Sequence, residues 1–204
     1  MNTVNRLKKH IKTLLQYDAK IWGINRSTIM TIISMLESRD RFAKGHLNGV
    51  AKYALCLAKE VSLNQDEAEA LQIAAMLHDI GKIVVPVRIL NKPGPLSPRE
   101  YEIIKTHVAE GVTILKPFPF LRKSREIMAY HHEWYDGKGY PNALSGQQIP
   151  LGSRILSIAD AYEAMTSNRS YRKAMTKKAA KEELARCSGT QFDKRLVGLF
   201  LKHV

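Results

Sequence analysis

The sequence predicts an all-α protein, and three observations lead to that fold class. Apolar residues recur at three- and four-residue spacing along most of the 204 residues, as they do on one face of a helix. Helix start signals are present, as at Ser97, which is followed by Pro98 and Glu100 in the order of a capping box. Strand signals are weak, because the best candidate, IVVPV at 83–87, contains a proline.

The N-terminal segment is predicted to form one or two amphipathic helices within residues 1–38. Leucines and isoleucines, among them Leu14 and Ile33, make apolar stripes there. Such a stripe packs either in a core or against a second subunit. We therefore expect residues 1–38 to be a linker or dimerisation region, which implies a homodimer, and residues 39–204 to be the main domain.

The helices of the main domain carry polar residues on faces that are otherwise apolar. The spacing predicts a helix over 42–61 with His46 on its apolar face, and a buried helix over 65–80 that ends in His78 and Asp79. Further helices are predicted over 98–116, from about 121 into 131–132, from about 152 past 160, and near 177–187 and 194–203.

Five of the seven histidines join two aspartates in this inward-facing set, which consists of His46, His78, Asp79, His107, His131, His132 and Asp160. A single histidine on an apolar face is more often a core residue than a ligand. Each buried imidazole or carboxylate needs a polar partner, and seven separate partners within one apolar core are not expected. A metal centre satisfies them together.

The types of ligand narrow the choice of metal. Imidazole and carboxylate without thiolate suit Fe, Mn, Ni, Zn or Co, and the two cysteines, Cys56 and Cys187, form no metal-binding pair. Seven ligands exceed the needs of one ion, so we expect two ions, with Asp79 as a bridge. Two ions roughly 3.5 to 4 Å apart are usual in phosphoester hydrolysis, where a bridging hydroxide is the nucleophile.

The net charge of +13 favours an anionic partner, such as a nucleotide, nucleic acid or acidic lipid. No apolar run approaches the roughly 18 residues that a membrane span requires. We therefore expect a cytoplasmic protein without a membrane partner.

Two motifs resemble those of the HD-GYP phosphodiesterases, a branch of the HD-domain metal-dependent phosphohydrolases that cleave cyclic di-GMP. They are LHDIGK at 77–82 and HHEWYDGKGYP at 131–141. Other blocks, including SPREYEIIKTH and ADAYEAMTSNRSYRKA, follow in the order of that family, from about Arg39 to the C-terminus. The resemblance implies an HD-domain helical bundle with additional C-terminal helices and a GYP loop.

The resemblance also implies roles for individual residues. The seven inward-facing residues are the metal ligands, with Fe or Mn favoured over Ni, Co or Zn. Asp79 and Lys82 are the catalytic residues, and Lys82 matches a lysine that contacts the scissile phosphate. The dinucleotide's bases and phosphates are expected to contact Lys82, Tyr140, Arg169 and Arg172.

Departures from the family pattern refine this expectation. Phe42 stands where members with a third metal have a glutamate, which predicts two ions. Glu163 stands where an aspartate is usual, three residues after Asp160. Glu133 is expected to orient a histidine, and Asp136 to fix the loop.

The function implied by the resemblance is hydrolysis of cyclic di-GMP to linear pGpG, with GMP after a second cut. GGDEF-domain proteins are implied partners at the GYP loop, and no stable nucleic-acid partner is expected. Three alternatives stay open: an HD hydrolase of another nucleotide, such as cyclic GMP-AMP or a linear one; a non-catalytic cyclic-dinucleotide-binding module; and nonspecific nucleic-acid binding through positive charge.

Overall fold

The computed structural model describes residues 31–35, 37–38, 45–168 and 173–204. Within those ranges the regular elements are helices and helical turns, with no strand. The all-α prediction is therefore confirmed, and the segment IVVPV at 83–87 belongs partly to a 3-10 turn, Ile80–Val84. No helix in the same ranges is long and apolar enough to cross a membrane.

From residue 45 onward, the described residues form nine α-helices joined by short turns. They are α1 (His46–Glu60), α2 (Gln65–Leu77), α3 (Val87–Leu90), α4 (Pro98–Lys105), α5 (His107–Leu115), α6 (Arg122–Ala129), α7 (Leu151–Thr166), α8 (Lys177–Arg186) and α9 (Lys194–His203). Besides Ile80–Val84, 3-10 turns occur at Pro119–Leu121 and Gly146–Gln148.

The start of α4 has the capping box that the sequence predicts. The Ser97 side chain accepts a hydrogen bond from the Glu100 backbone N–H, and the Glu100 carboxylate accepts one from the Ser97 N–H. The single helix predicted over 98–116 is instead two helices, α4 and α5, separated at Thr106. Where α4 ends, the Ile104 carbonyl lies 2.6 Å from the His107 ring atom Nδ1, so a side chain satisfies a terminal carbonyl.

The core lies between α1, α2, α6 and α7, with α9 packed against α1. Its largest fully buried side chains include Leu57, Leu71, Tyr162 and Phe200. Complete burial of a side chain of this size contributes roughly 1.5 to 3 kcal/mol. This packing holds the helix ends, where the polar residues lie, in constant relative positions.

Ile32 and Ile33 are also buried in this core. The described part of the predicted N-terminal region thus packs against the main domain. The boundary at residue 38 and the dimer remain predictions, because most of 1–38 lies outside the described residues.

Candidate metal centre

The seven inward-facing residues predicted from the sequence meet at one place in the fold. They come mostly from helix ends: His46 begins α1, His78 and Asp79 follow α2, His107 begins α5, His131 and His132 follow α6, and Asp160 lies within α7. Because α1, α2 and α5 to α7 pack on a common core, these separate segments converge.

Within the described residues, the side chains form two clusters of potential ligands. One consists of His107, His131 and His132, and the other contains His46, His78 and Asp79; in each, the ligand atoms lie within 4.8 Å of one another. We call them the three-histidine cluster and the carboxylate cluster.

Asp160 extends the carboxylate cluster. Its Oδ1 atom lies 3.2 Å from His46 Nε2 and 3.8 Å from His78 Nε2. The carboxylate cluster therefore combines two imidazoles with two carboxylates.

Asp79 stands between the two clusters. Its Oδ1 atom lies 3.6 Å from His107 Nε2, and its Oδ2 atom lies 3.6 Å from His78 Nε2. One carboxylate oxygen thus faces each cluster, which is the arrangement that a bridging ligand requires.

The adjacent residues His131 and His132 reach the same cluster because α6 ends before them. The sequence predicts a helix that runs into both histidines, but α6 ends at Ala129. The two rings have centroids 4.0 Å apart and planes inclined at 40°. On a continuing helix these consecutive side chains would diverge by about 100°.

Backbone carbonyls at helix ends orient three of the histidines. The Nδ1 atoms of His78, His107 and His131 lie 2.9, 2.6 and 2.6 Å from carbonyl oxygens three residues earlier in the chain. Because a carbonyl oxygen only accepts, each Nδ1 carries the proton and each Nε2 presents a lone pair to the centre.

The chemistry of these lone pairs fits a metal ion. The Nε2 atoms of His107 and His131 are buried and make no hydrogen bond within the described parts of the chain. A buried polar atom without a partner is costly, and a bound cation would remove that cost.

The two clusters differ in charge. Burial lowers the pKa of His107 and of His131, and it lowers the pKa of His132 to about 3. All three imidazoles are therefore neutral near pH 7, as metal ligands must be. Burial acts in the same direction on the pKa of His46, but hydrogen bonds to Asp160 and Glu163 outweigh it and raise that pKa to about 9.

Asp79 is ionised in this setting. Burial alone would raise the pKa of its carboxyl group, but the positive charge of Lys82 beside it holds that pKa well below its usual value. The Lys82 ammonium lies 2.6 Å from Asp79 Oδ2, so the predicted catalytic lysine lies directly beside the bridging position.

Glu163 contacts the site in a way that the sequence alone did not reveal. Its Oε2 atom pairs with His46 Nδ1, and the Ser167 hydroxyl donates to its Oε1 atom. A Cβ atom at position 49 would lie 2.8 Å from Glu163 Cγ, so Gly49 makes room for this carboxylate. The spacing in the sequence could have identified Glu163 as a site residue, because it lies one helical turn after Asp160 and therefore on the same helix face.

The expectation that Glu133 orients a histidine is wrong. Its buried carboxylate accepts from the backbone N–H groups of Asn142, at 2.6 Å, and Leu144, at 3.0 Å. Glu133 therefore holds the end of the GYP loop against the segment that carries His132. Its two hydrogen-bond partners lie nine and eleven residues away, at separations that no local pattern predicts.

The GYP loop lies close against the chain that precedes it. A Cβ atom at position 139 would lie 2.2 Å from the Trp134 backbone nitrogen, so only glycine fits there. Asp136 accepts from the Lys138 N–H at 3.1 Å, which agrees with its expected part in fixing the loop. The Tyr140 N–H donates to the His132 carbonyl at 3.1 Å.

Tyr140 packs directly on the three-histidine cluster. Its ring is stacked on His132, with centroids 4.8 Å apart and planes inclined at 23°. One face of the ring is therefore covered by a potential metal ligand. The predicted substrate residues Arg169 and Arg172 lie outside the described residues, as does Phe42, on which the exclusion of a third metal depends.

The chain is similar to known proteins in sequence and in fold. The family described as HD domain matches residues 30–196. The chain is 38% identical, over 88% of its length, to "3'3'-cGAMP-specific phosphodiesterase 2" of Vibrio cholerae, and covers 35% of that protein. It is 38% identical, over 85% of its length, to "Cyclic di-GMP phosphodiesterase" of Thermotoga maritima, and covers 48% of that protein.

Among solved structures, the fold is similar to that of Bd1817 of Bdellovibrio bacteriovorus, described as an HDGYP protein. The TM-score is 0.65 at 17% identity, over 98% of this chain and 62% of the other. The chain thus spans between about a third and a half of the two curated relatives.

Proposed function

The chain belongs to the HD-domain family, as the sequence motifs predicted, and from this premise we propose that it is a metal-dependent phosphodiesterase that hydrolyses cyclic di-GMP. The observation that carries the proposal is the pair of ligand clusters with one oxygen of Asp79 turned towards each. Two adjoining cation sites suit phosphodiester hydrolysis, because negative charge develops on the phosphoryl oxygens and the leaving oxygen.

The centre would hold two divalent transition-metal ions, which the mixture of imidazole and carboxylate suits, and the resemblance to the HD-GYP family favours Fe or Mn among them. His107, His131 and His132 would hold one ion, and His46, His78 and Asp160 would hold the other, with Asp79 shared. Such ions, when bound, supply an activated water molecule and polarise the phosphoryl oxygens.

The chain's own residues prepare this chemistry. Carbonyl groups hold three imidazoles in the tautomer that offers Nε2, and Glu163 does the equivalent for His46. The Lys82 ammonium lies 2.6 Å from Asp79, and in the proposed reaction it would neutralise charge on the phosphoryl group.

In the proposed reaction, one water molecule is consumed for each phosphodiester bond cleaved. The bond between phosphorus and the ribose 3′ oxygen breaks, the phosphorus gains an oxygen from water, and the 3′ oxygen gains a proton. The first cleavage opens the ring to pGpG, and a second cleavage yields GMP. Tyr140, Arg169 and Arg172 are proposed to contact the substrate.

Hydrolysis of 3'3'-cGAMP is the second candidate, because one relative with 38% identity carries that specificity in its name. The two candidates differ in one base only. Comparing kcat/KM for cyclic di-GMP and 3'3'-cGAMP with the same metal-loaded preparation decides between them.

The central experiment is anaerobic purification with metal analysis and a cyclic-dinucleotide hydrolysis assay, repeated with Asp79→Ala. We expect about two ions per chain, formation of pGpG, and loss of both in the variant. Asp66→Asn, at the first turn of α2, is the control for loss of a carboxylate elsewhere. Full activity of Asp79→Ala would contradict the metal-centre assignment.

The same experiment separates the other classes of function. A binding module would bind the cyclic dinucleotide and release no product. Nonspecific nucleic-acid binding would weaken steeply with salt and would tolerate Asp79→Ala. Association with GGDEF-domain proteins at the GYP loop and dimerisation through the N-terminal helices remain predictions.

A further inference from the structure

Lys105 places a positive charge at the rim of the metal centre. It is the last residue of α4, and its Nζ atom lies 5.4 Å from the centroid of the Tyr140 ring. The Tyr140 ring in turn stacks on His132 at 4.8 Å. The Tyr140 ring thus lies next to both the ammonium group and a potential metal ligand.

Two tyrosines hold this ammonium group in place. Besides Tyr140, the ring of Tyr101 lies 5.6 Å from Nζ, measured to its centroid. An ammonium group within about 6 Å of an aromatic face is attracted by the negative charge of that face.

The Lys105 charge is accessible to a ligand. Its side chain is 27% exposed, so part of it meets solvent. Its carboxylate neighbour is Glu102, at 2.7 Å, and that side chain is 65% exposed. Exposed ion pairs contribute little to stability, so a phosphate can replace this carboxylate at small cost.

We propose that Lys105 binds the second phosphodiester of the cyclic dinucleotide, the one that is not being cleaved. This inference rests on the proposed function, because only a substrate with two phosphodiesters presents such a group. The cleaved phosphodiester lies at the metal centre beside Lys82, and the other must lie away from the metal ions within the same ring. Lys105 lies beyond Tyr140, outside both ligand clusters.

Tyr101 acts as a positioning residue in this arrangement. It belongs to neither ligand cluster, and its ring keeps the flexible lysine near Tyr140. Loss of the ring therefore releases Lys105 without removing its charge.

The test compares two substrates in the metal-loaded 204-residue chain. Cyclic di-GMP has two phosphodiesters, whereas bis(p-nitrophenyl) phosphate has one and lacks the group that Lys105 is proposed to bind. Lys105→Met removes the charge and keeps most of the stem, Lys105→Arg keeps the charge, and Lys178→Met removes an exposed charge from α8 as the matched control.

We expect Lys105→Met to raise KM for cyclic di-GMP roughly ten- to hundredfold, as loss of a hydrogen bond to a charged group does. Its kcat/KM for bis(p-nitrophenyl) phosphate and its metal content should match those of the wild type. Lys105→Arg should restore most of the affinity, Tyr101→Leu should show a smaller rise in KM, and Lys178→Met should show none.

An unchanged KM for cyclic di-GMP in Lys105→Met would overturn the proposal while leaving the proposed function intact. An equal loss on both substrates would also overturn it, because that result would place Lys105 in the support of the metal centre. If the wild type cleaves bis(p-nitrophenyl) phosphate but no cyclic dinucleotide, the proposed function fails and this inference fails with it.

Discussion

The three-histidine cluster and the carboxylate cluster differ in the groups that orient their histidine ligands. His107 and His131 are oriented by backbone carbonyls at helix ends, and their ligand atoms have no other partner among the described residues. His46 in the carboxylate cluster is oriented by a side chain, that of Glu163, and its other nitrogen faces Asp160.

This difference affects how tightly each cluster should bind a cation. The three-histidine cluster is neutral and offers only lone pairs, with Asp79 nearby. The carboxylate cluster contains two ionised carboxylates, which attract a dication more strongly in a buried setting. We therefore expect the three-histidine cluster to lose its ion first.

The largest expected effect is on metal content and activity in His131→Ala. This variant should lose about one ion per chain, from the three-histidine cluster, and at least about a thousandfold in kcat, because both ions are needed. His46→Ala should also lose activity, but it should release the ion of the other cluster. Metal analysis of the two variants tests this, with His203→Ala as an exposed control. If each variant lost both ions, the proposed difference between the two clusters would be contradicted.

A smaller effect is expected when the orienting carboxylate is removed. Glu163→Gln should weaken metal binding at the carboxylate cluster about 10- to 100-fold, as loss of such partners typically does. The three-histidine cluster should be unaffected, since its orientation comes from the backbone. Competition with a chelator measures the metal affinity of each cluster. An equal loss of affinity at both clusters would contradict the proposal that they are oriented by different groups.

Tyr140→Ala should reduce binding of the cyclic dinucleotide by about ten- to hundredfold while leaving metal content unchanged. Its ring covers His132 but supplies no ligand atom. The change in KM for cyclic di-GMP, measured alongside metal content, separates the two effects. Loss of metal in this variant would mean that the stacking contact holds His132 in the centre.

The last expected effect, at most tenfold per pH unit, is a pH dependence of metal uptake. In the metal-free protein the pKa of His46 is raised to about 9, so this ring is protonated at pH 7 and must release a proton when it binds metal. The affinity of the carboxylate cluster should therefore rise up to tenfold per pH unit between pH 7 and about 9, then level off. The three-histidine cluster, already neutral, should show no such rise, and a proton-release titration against added Mn²⁺ tests this.

Much of the site was predictable because its residues lie on apolar helix faces or at helix ends, and the helical periodicity of the sequence locates both. His46 falls on an apolar face, and His78 and Asp79 fall where a buried helix ends. Buried polar groups at such positions need partners, so the sequence alone indicated a shared cation. The partners of Glu133 and Glu163 were not predictable in this way, because they lie 9, 11 and 117 residues away.

The sequence by itself determined the all-α class, the HD-domain family and the set of seven candidate ligands, because local periodicity and motif spacing depend on near neighbours in the chain. Only the tertiary structure divided that set into two clusters, turned one oxygen of Asp79 towards each, and placed Lys105 beside Tyr140. These arrangements depend on which helix ends meet across the core. The contacts between helix ends depend in turn on how the whole chain packs.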